Sequence, residues 1–133
     1  MLDLRCMAGE IRQVLANLVG NALDAMGKGG TLCLRIREAR DWRNESGRGI
    51  RLTVADNGTG IPREIRAKIF EPFVTTKEAT GTGLGLWVSS EIVAKHGGRI
   101  QLRSMTETGK SGTVFSVFLP YRVDAVRSAE GAA

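Results

Sequence analysis

Apolar side chains between Glu10 and Met26 recur at the spacing that places them on one face of an α-helix. The residues that follow the i, i+3, i+4, i+7 pattern are Ile11, Val14, Leu15, Leu18, Val19, Ala22, Leu23 and Met26. Glycines follow Met26 and end the pattern, so we predict an amphipathic helix over residues 10–26. The same reasoning predicts a second long helix over residues 83–96 and a short helix over residues 62–70.

Other segments alternate between apolar and polar residues, which is the pattern of strands with one buried face. These segments are residues 32–37, 50–55, 99–104 and 113–119. The polar stretch 41–49 is predicted to be a loop, as is the stretch 71–82, which has no periodicity. Helices and strands in this order predict an α+β fold, a two-layer α/β sandwich with the helices on one face of a sheet.

The chain has 133 residues, a length typical of one domain. Small and polar residues follow Tyr121, so we expect one domain over residues 1–121 and a disordered tail over residues 122–133. No apolar run is long enough to insert into a membrane. Cys6 and Cys33 lack metal-ligand spacing, which favours a reduced cytoplasmic compartment, and a disulfide between them is the alternative.

The net charge of +5 raises the question of a nucleic-acid partner. The arginines are densest between Arg35 and Arg51, on alternating strand positions and in a loop. We interpret this group as a solvated face that can dock a partner, and we expect no nucleic acid. His96, the single histidine, lies near a predicted helix end with no nucleophile or metal ligand patterned around it, so we expect a structural role.

Polar residues of the first helix carry the first candidate chemistry. At about 100° per residue, a stripe about 80° wide contains Glu10, Gln13, Asn17, Asn21 and Asp24. Asparagine is a poor helix former, so Asn17 and Asn21 are unusual on such a face, whereas Glu10 and Gln13 suit a solvent face. Two amide oxygens one turn apart suit a hard divalent cation that keeps most of its waters.

Asp56 ends the second predicted strand with the same parity as Leu52 and Val54, so its carboxylate should point toward the buried face. A turn before Gly58 would explain it structurally, and accepting a hydrogen bond from the exocyclic amine of adenine would explain it functionally. In the functional interpretation, Gly58 and Gly60 allow the backbone to pass close to a purine ring.

The glycine-rich segment 81–86 precedes a helix and follows a loop, not a strand. Free N–H groups at a helix start bind anions, so the candidate phosphate contacts are Thr82, Gly83, Leu84 and Gly85. Lys77, the strong cation in the preceding loop, can reach a terminal phosphate. A flexible hinge is the alternative interpretation of the glycines.

The order of Asn17–Asn21, Asp56-x-Gly58-x-Gly60 and the segment 81–86 resembles the catalytic ATP-binding domain of sensor histidine kinases. The resemblance implies a Bergerat-type fold with a mixed sheet and an ATP lid over residues 71–82, anchored by Phe70 and Phe73. It also implies that ATP and Mg²⁺ bind, with Asn21 as the metal ligand and Asn17 beside the phosphates. Asp56 would read adenine, and Thr113 would assist it through water.

The same resemblance implies transfer of the γ-phosphate to a histidine of a separate helical dimerisation and phosphoacceptor domain, with a response regulator downstream. Related ATPases carry a general-base glutamate one turn before the magnesium asparagine, where this chain has Asn17. No residue is therefore assigned as base or nucleophile, and we expect an isolated monomer that is inactive without its acceptor. An ATP hydrolase and a non-catalytic nucleotide-sensing module are the alternatives.

Overall fold

The computed structural model describes residues 2–3, 8–41, 44–73 and 84–123. Its elements in chain order are β1 (Leu2–Asp3), α1 (Ala8–Met26), β2 (Leu32–Asp41), β3 (Asn44–Asp56), α2 (Arg63–Arg66), α3 (Gly85–Lys95), β4 (Arg99–Met105), β5 (Gly112–Pro120) and β6 (Arg122–Val123). The predicted long helices and all four predicted strands are present. No helix within the described residues is long and apolar enough to cross a membrane.

The main sheet has the strand order β2-β3-β5-β4, and every pairing in it is antiparallel. The expected mixed sheet is therefore not found among the described strands, because hairpin-like connections join β2 to β3 and β4 to β5. A separate antiparallel pair joins β1 to β6 and extends two residues beyond the predicted domain limit at residue 121.

The helices cover one face of this sheet, which confirms the predicted two-layer α+β architecture. Helix α1 packs on β3 and on α3, and α3 packs on β4 and β5. Val14 and Leu18 of α1 are buried in one cluster with Val54, Val93 and Phe115. Burial of these apolar side chains between the two layers is the main force that holds the helices on the sheet.

The prediction of a loop over residues 41–49 was wrong, since β2 continues to Asp41 and β3 begins at Asn44. Backbone pairs such as Arg40 with Arg48 extend the β2–β3 hairpin beyond the part of the sheet that the helices cover. Backbone hydrogen bonding is independent of side-chain polarity, so a polar hairpin can continue as strands in solvent. Asp41 is buried at this end, where Arg99 of β4 forms an ion pair with it at 3.5 Å.

Candidate functional site

Asn17 joins the two long helices at the centre of the site. Its Nδ2 donates hydrogen bonds to the Gly85 carbonyl oxygen and to the Ser89 Oγ, both at 3.1 Å. The Ser89 side chain is fully buried. The amide nitrogen therefore faces α3, and the amide oxygen remains available as an acceptor. Sequence analysis did not single out Ser89. The signal that could have identified it is a small polar residue four positions after Gly85, on a largely apolar helix.

The polar stripe of α1 lies partly against α3, not wholly in solvent. At its N-terminal end, Glu10 forms an ion pair with Lys95 Nζ at 3.1 Å near the protein surface, so this solvent-facing position also contacts α3. Gln13 is exposed, as predicted. Asn21 is half-buried one turn after Asn17, on the same stripe. The helix pair thus presents Asn17 and Asn21 beside the beginning of α3.

We expect Asn17→Asp to destabilise the fold by about 1–3 kcal/mol, because the carboxylate loses both donors and faces the Gly85 carbonyl oxygen. Ser89→Ala removes one acceptor and should cost about 1 kcal/mol, while Ser89→Thr should retain the hydrogen bond. Urea unfolding of the three variants measures these differences. Equal stability of Asn17→Asp and wild type would contradict the structural role of the amide nitrogen.

Asp56 lies at the end of β3, beside buried Val54, so its predicted inward parity is confirmed. Its Oδ1 accepts a hydrogen bond from the Gly58 backbone N–H at 2.8 Å. Partial burial raises the pKa of the Asp56 carboxyl above its ordinary value, and the backbone N–H groups of Gly58 and Thr113 act in the opposite direction. The turn explanation and the recognition explanation are compatible, because the turn uses one carboxylate oxygen and leaves capacity on the other.

Thr113 pairs with Asp56 across β5 and β3 and is buried. Its hydroxyl lies 2.8 Å from Ser104 Oγ, which also accepts from the Ile61 backbone N–H at 2.7 Å. Ser104 Oγ can donate to the Gly112 carbonyl oxygen at 3.0 Å. This chain of hydrogen bonds holds the segment after Asp56 against β4. Ser104 was also not singled out from the sequence, because its role depends on the pairing of β4 with β5.

The glycines after Asp56 are required by packing. A Cβ on Gly58 would lie 2.6 Å from the backbone of Ala25, and one on Gly60 would collide with the Met105 carbonyl oxygen. Gly60 also has φ +80°, a conformation that favours glycine. Thr59 N–H donates to the Ala25 carbonyl oxygen at 3.1 Å. The segment that carries Asp56 is therefore fixed to the end of α1, one turn beyond Asn21.

The predicted lid begins at residue 71, and only its first residues are described. Phe70 packs edge-on against Phe115 with ring centroids 6.3 Å apart, which anchors the start of the segment as expected. Phe73 is 74% exposed, so the expectation that it anchors the lid was wrong. Its φ of 69° is a strained conformation for a non-glycine residue. Lys77, Thr82 and Gly83 lie outside the described residues.

Leu84 precedes the first turn of α3, and Gly85 begins the helix. Leu84 is the residue before the first helical position, and its side chain has no polar atom that could cap the first N–H groups of the helix. The first N–H groups of an α-helix have no partner within the helix and can bind an anion. Because Asn17 contacts Gly85, this helix start lies beside the amide pair of α1.

The described candidates therefore surround the C-terminal half of α1. Asn17 connects to α3 through Gly85, and the Asp56 segment connects to α1 through Ala25. Amide oxygens, a helix N-terminus and a partly buried carboxylate are the groups that a magnesium-bound nucleotide needs for its metal, phosphates and base.

The family model for histidine kinase-, DNA gyrase B- and HSP90-like ATPases matches residues 8–123. The C4-dicarboxylate transport sensor protein DctB of Rhizobium meliloti is 46% identical over 120 residues, covering 87% of this chain and 17% of that protein. The sensor histidine kinase ZraS of Escherichia coli K12 is 42% identical over 121 residues, covering 91% of this chain and 24% of that protein. The chain thus spans about a fifth of the length of these relatives.

Solved structures agree with this relationship. The nucleotide-free catalytic domain of histidine kinase ThkA is 36% identical, with a TM-score of 0.68, and the match covers 86% of this chain and 69% of that one. The mycobacterial sensor histidine kinase MprB gives a TM-score of 0.76 at 26% identity, covering 91% of this chain and 78% of that one. The chain therefore belongs to the histidine kinase-, DNA gyrase B- and HSP90-like ATPase family, as a catalytic ATP-binding domain of the sensor histidine kinase type.

Proposed function

We propose that this domain binds Mg·ATP and donates the γ-phosphate to a histidine on a separate helical phosphoacceptor domain, in a two-component pathway with a response regulator. The observation that carries the proposal is the contact of Asn17 with Gly85. This contact puts the amide pair of α1 next to the N-terminus of α3, so a metal and a phosphate can be held side by side.

The residues around Asn21 fit Mg²⁺. Within the described part of the chain, no group of three or more His, Cys, Asp or Glu side chains is placed to hold a metal ion. Mg²⁺ needs only one or two protein ligands when phosphates and waters complete its octahedron. We propose the Asn21 amide oxygen as the protein ligand, with the amide of Asn17 one turn before it on the same stripe. A bound Mg²⁺ would neutralise charge on the phosphates.

The identity of Asn17 also favours phosphoryl transfer over ATP hydrolysis at this site. An amide cannot accept a proton from an attacking water, and the nitrogen of this amide already donates two hydrogen bonds to α3. A site without a base at this position can still present the γ-phosphate to an external nucleophile. We therefore favour phosphoryl transfer over the ATP hydrolase alternative.

The test is transfer of labelled phosphate from γ-labelled ATP. The domain alone should remain unlabelled and should turn over ATP slowly. Addition of the phosphoacceptor domain of its own protein, or of the related transport sensor, should give acid-labile, base-stable phosphate on that partner. An acceptor whose phosphorylated histidine is replaced by alanine is the control.

Rapid ATP turnover by the isolated domain would instead support the hydrolase. Tight ATP binding without any transfer to the cognate acceptor would support the nucleotide-sensing module. Label on His96 would also contradict the proposal. His96 is buried, and its Nδ1 lies 2.8 Å from the Ile92 carbonyl oxygen, so it is poorly placed to accept a phosphate.

A further inference from the structure

Strand β2 is the end strand of the main sheet among the described strands, and its residues 33–38 are exposed. Helix α3 packs on β4 and β5, and α1 packs on β3. One edge of β2 pairs with β3, and the other edge has no partner strand within the described residues. An end strand of this length offers a row of backbone donors and acceptors to an added strand.

The inner face of β2 is apolar but exposed. Leu34 pairs with Val54, and Ile36 pairs with Leu52. Leu34 and Ile36 therefore lie on the face of the sheet where the β3 side chains are buried. Nevertheless, Leu34 is 50% exposed and Ile36 is 69% exposed. Their parity is as predicted from the sequence, but the prediction of a half-buried strand was wrong at these two residues, because no helix in the described part of the chain covers them.

Helix α1 packs on the same face of the sheet, and its flank away from α3 is largely exposed. At about 100° per residue, Arg12, Ala16, Val19 and Leu23 fall within a stripe about 60° wide, centred about 130° from Asn17. Asn17 faces α3, so this flank is turned toward the β2 side of the sheet. Leu23 is 54% exposed. We call the surface formed by Ala16, Val19, Leu23, Leu34 and Ile36 the β2 groove.

The charged side chains of β2 and of the adjacent flank of α1 are mainly positive. Arg35 and Arg37 are exposed and, by strand alternation, lie on the opposite face from Leu34 and Ile36. Arg12 is exposed on the same flank of α1 as Leu23. The nearby acid Glu38 accepts a hydrogen bond from the Tyr121 hydroxyl at 3.0 Å. A second copy paired along β2 would bring arginines close to arginines, which disfavours self-pairing.

We propose that the β2 edge binds an extended acidic segment of a separate partner protein, in which apolar and acidic residues alternate. Main-chain hydrogen bonds would extend the sheet by one strand. The apolar side chains of the partner would lie beside Leu34 and Ile36, on the face of the sheet that also carries α1. Its acidic side chains would lie on the other face, beside Arg35 and Arg37. This surface is on the flank of α1 away from the nucleotide site, so the proposal is independent of phosphoryl transfer.

The experiment uses a fluorescent peptide in which valine alternates with glutamate, and measures its anisotropy against the full chain. We expect saturable binding, weakened at least about tenfold by Arg35→Glu with Arg37→Glu and by Ile36→Asn. The variant with both Arg35→Glu and Arg37→Glu should instead bind a peptide in which valine alternates with lysine. Arg103→Glu with Lys110→Glu, on the β4 side of the sheet, changes the net charge equally and should leave binding unchanged.

Two further controls separate strand addition from general attraction. A peptide of the same composition with its valines grouped should bind at least about tenfold more weakly, because only alternation matches the two faces of β2. Equal binding of the glutamate and lysine peptides, or no saturation up to about 1 mM, would overturn the proposal. Sedimentation that shows dimers, lost in Ile36→Asn, would assign the groove to a second copy and overturn it as well.

Discussion

Asp56→Asn is expected to weaken ATP binding at least about tenfold while making the unbound protein more stable at pH 7. The amide keeps an acceptor for the Gly58 N–H but presents a donor where the adenine amine also donates. Loss of a charge-assisted hydrogen bond weakens binding by about 1.5–3 kcal/mol. Guanine has an oxo group at that position, so the variant should shift its preference toward GTP.

The gain in stability follows from the raised pKa of Asp56. A carboxyl whose pKa is higher in the folded than in the unfolded state stabilises the fold below its unfolded value, near 3.8, and loses that contribution as the pH rises through the folded value. At pH 7 the wild type therefore carries the desolvation penalty of a charged group, whereas asparagine does not. The stability difference should shrink as the pH falls toward 3.8.

Calorimetric titration with ATP and GTP, together with thermal unfolding between pH 3.5 and 8, measures both effects. Thr53→Ala, on the same strand but of opposite parity, is a suitable control and should change neither nucleotide preference nor its pH dependence. Unchanged ATP affinity in Asp56→Asn would exclude adenine recognition. Lower stability of this variant at pH 7 would show that the charged carboxylate is favourable in the fold.

Asn21→Ala is expected to remove most of the magnesium dependence of ATP binding. The wild type should bind Mg·ATP at least about tenfold more tightly than ATP in a chelator, and this ratio should approach one in the variant. Transfer to the acceptor histidine should fall further, because the ion also stabilises charge in the transition state. Alanine is the strongest helix former, so α1 should be retained in the variant.

Titrations at matched ionic strength, with and without Mg²⁺, measure the ratio directly. Gln13→Ala is the matched control, because Gln13 lies on the same stripe but is exposed two turns before Asn21. The ratio of Mg·ATP affinity to magnesium-free ATP affinity should be the same in Gln13→Ala as in the wild type. A wild-type affinity independent of Mg²⁺ would refute the ligand assignment for Asn21 without affecting the assignment of Asp56 to adenine.

Local patterns were sufficient for most of the architecture. The helical period of residues 10–26 predicted both α1 and its buried residues Val14 and Leu18. Strand alternation placed Asp56 on the same face as Val54. These predictions succeed because helices and strands repeat over a few residues, so the direction of a side chain follows from its neighbours in the chain.

Contacts between distant segments were not accessible in this way. The hydrogen bonds of Asn17 to α3 and of Ser104 to Thr113 join residues that only the packing of helices and the pairing of strands bring together. The collision of a Gly58 Cβ with Ala25 is of the same kind. The sequence identified glycine at this position but not the backbone that requires it.

The sequence by itself determined the order of helices and strands, the face on which each side chain lies, and the candidate groups for metal, phosphate and adenine. The tertiary structure decided which of those faces are covered. Leu34 and Ile36 have the alternation of a buried strand, yet they are exposed because α1 lies over β3 and no described helix lies over β2. Periodicity reports the direction of a side chain, whereas burial depends on what packs against it, and that is a property of the whole fold.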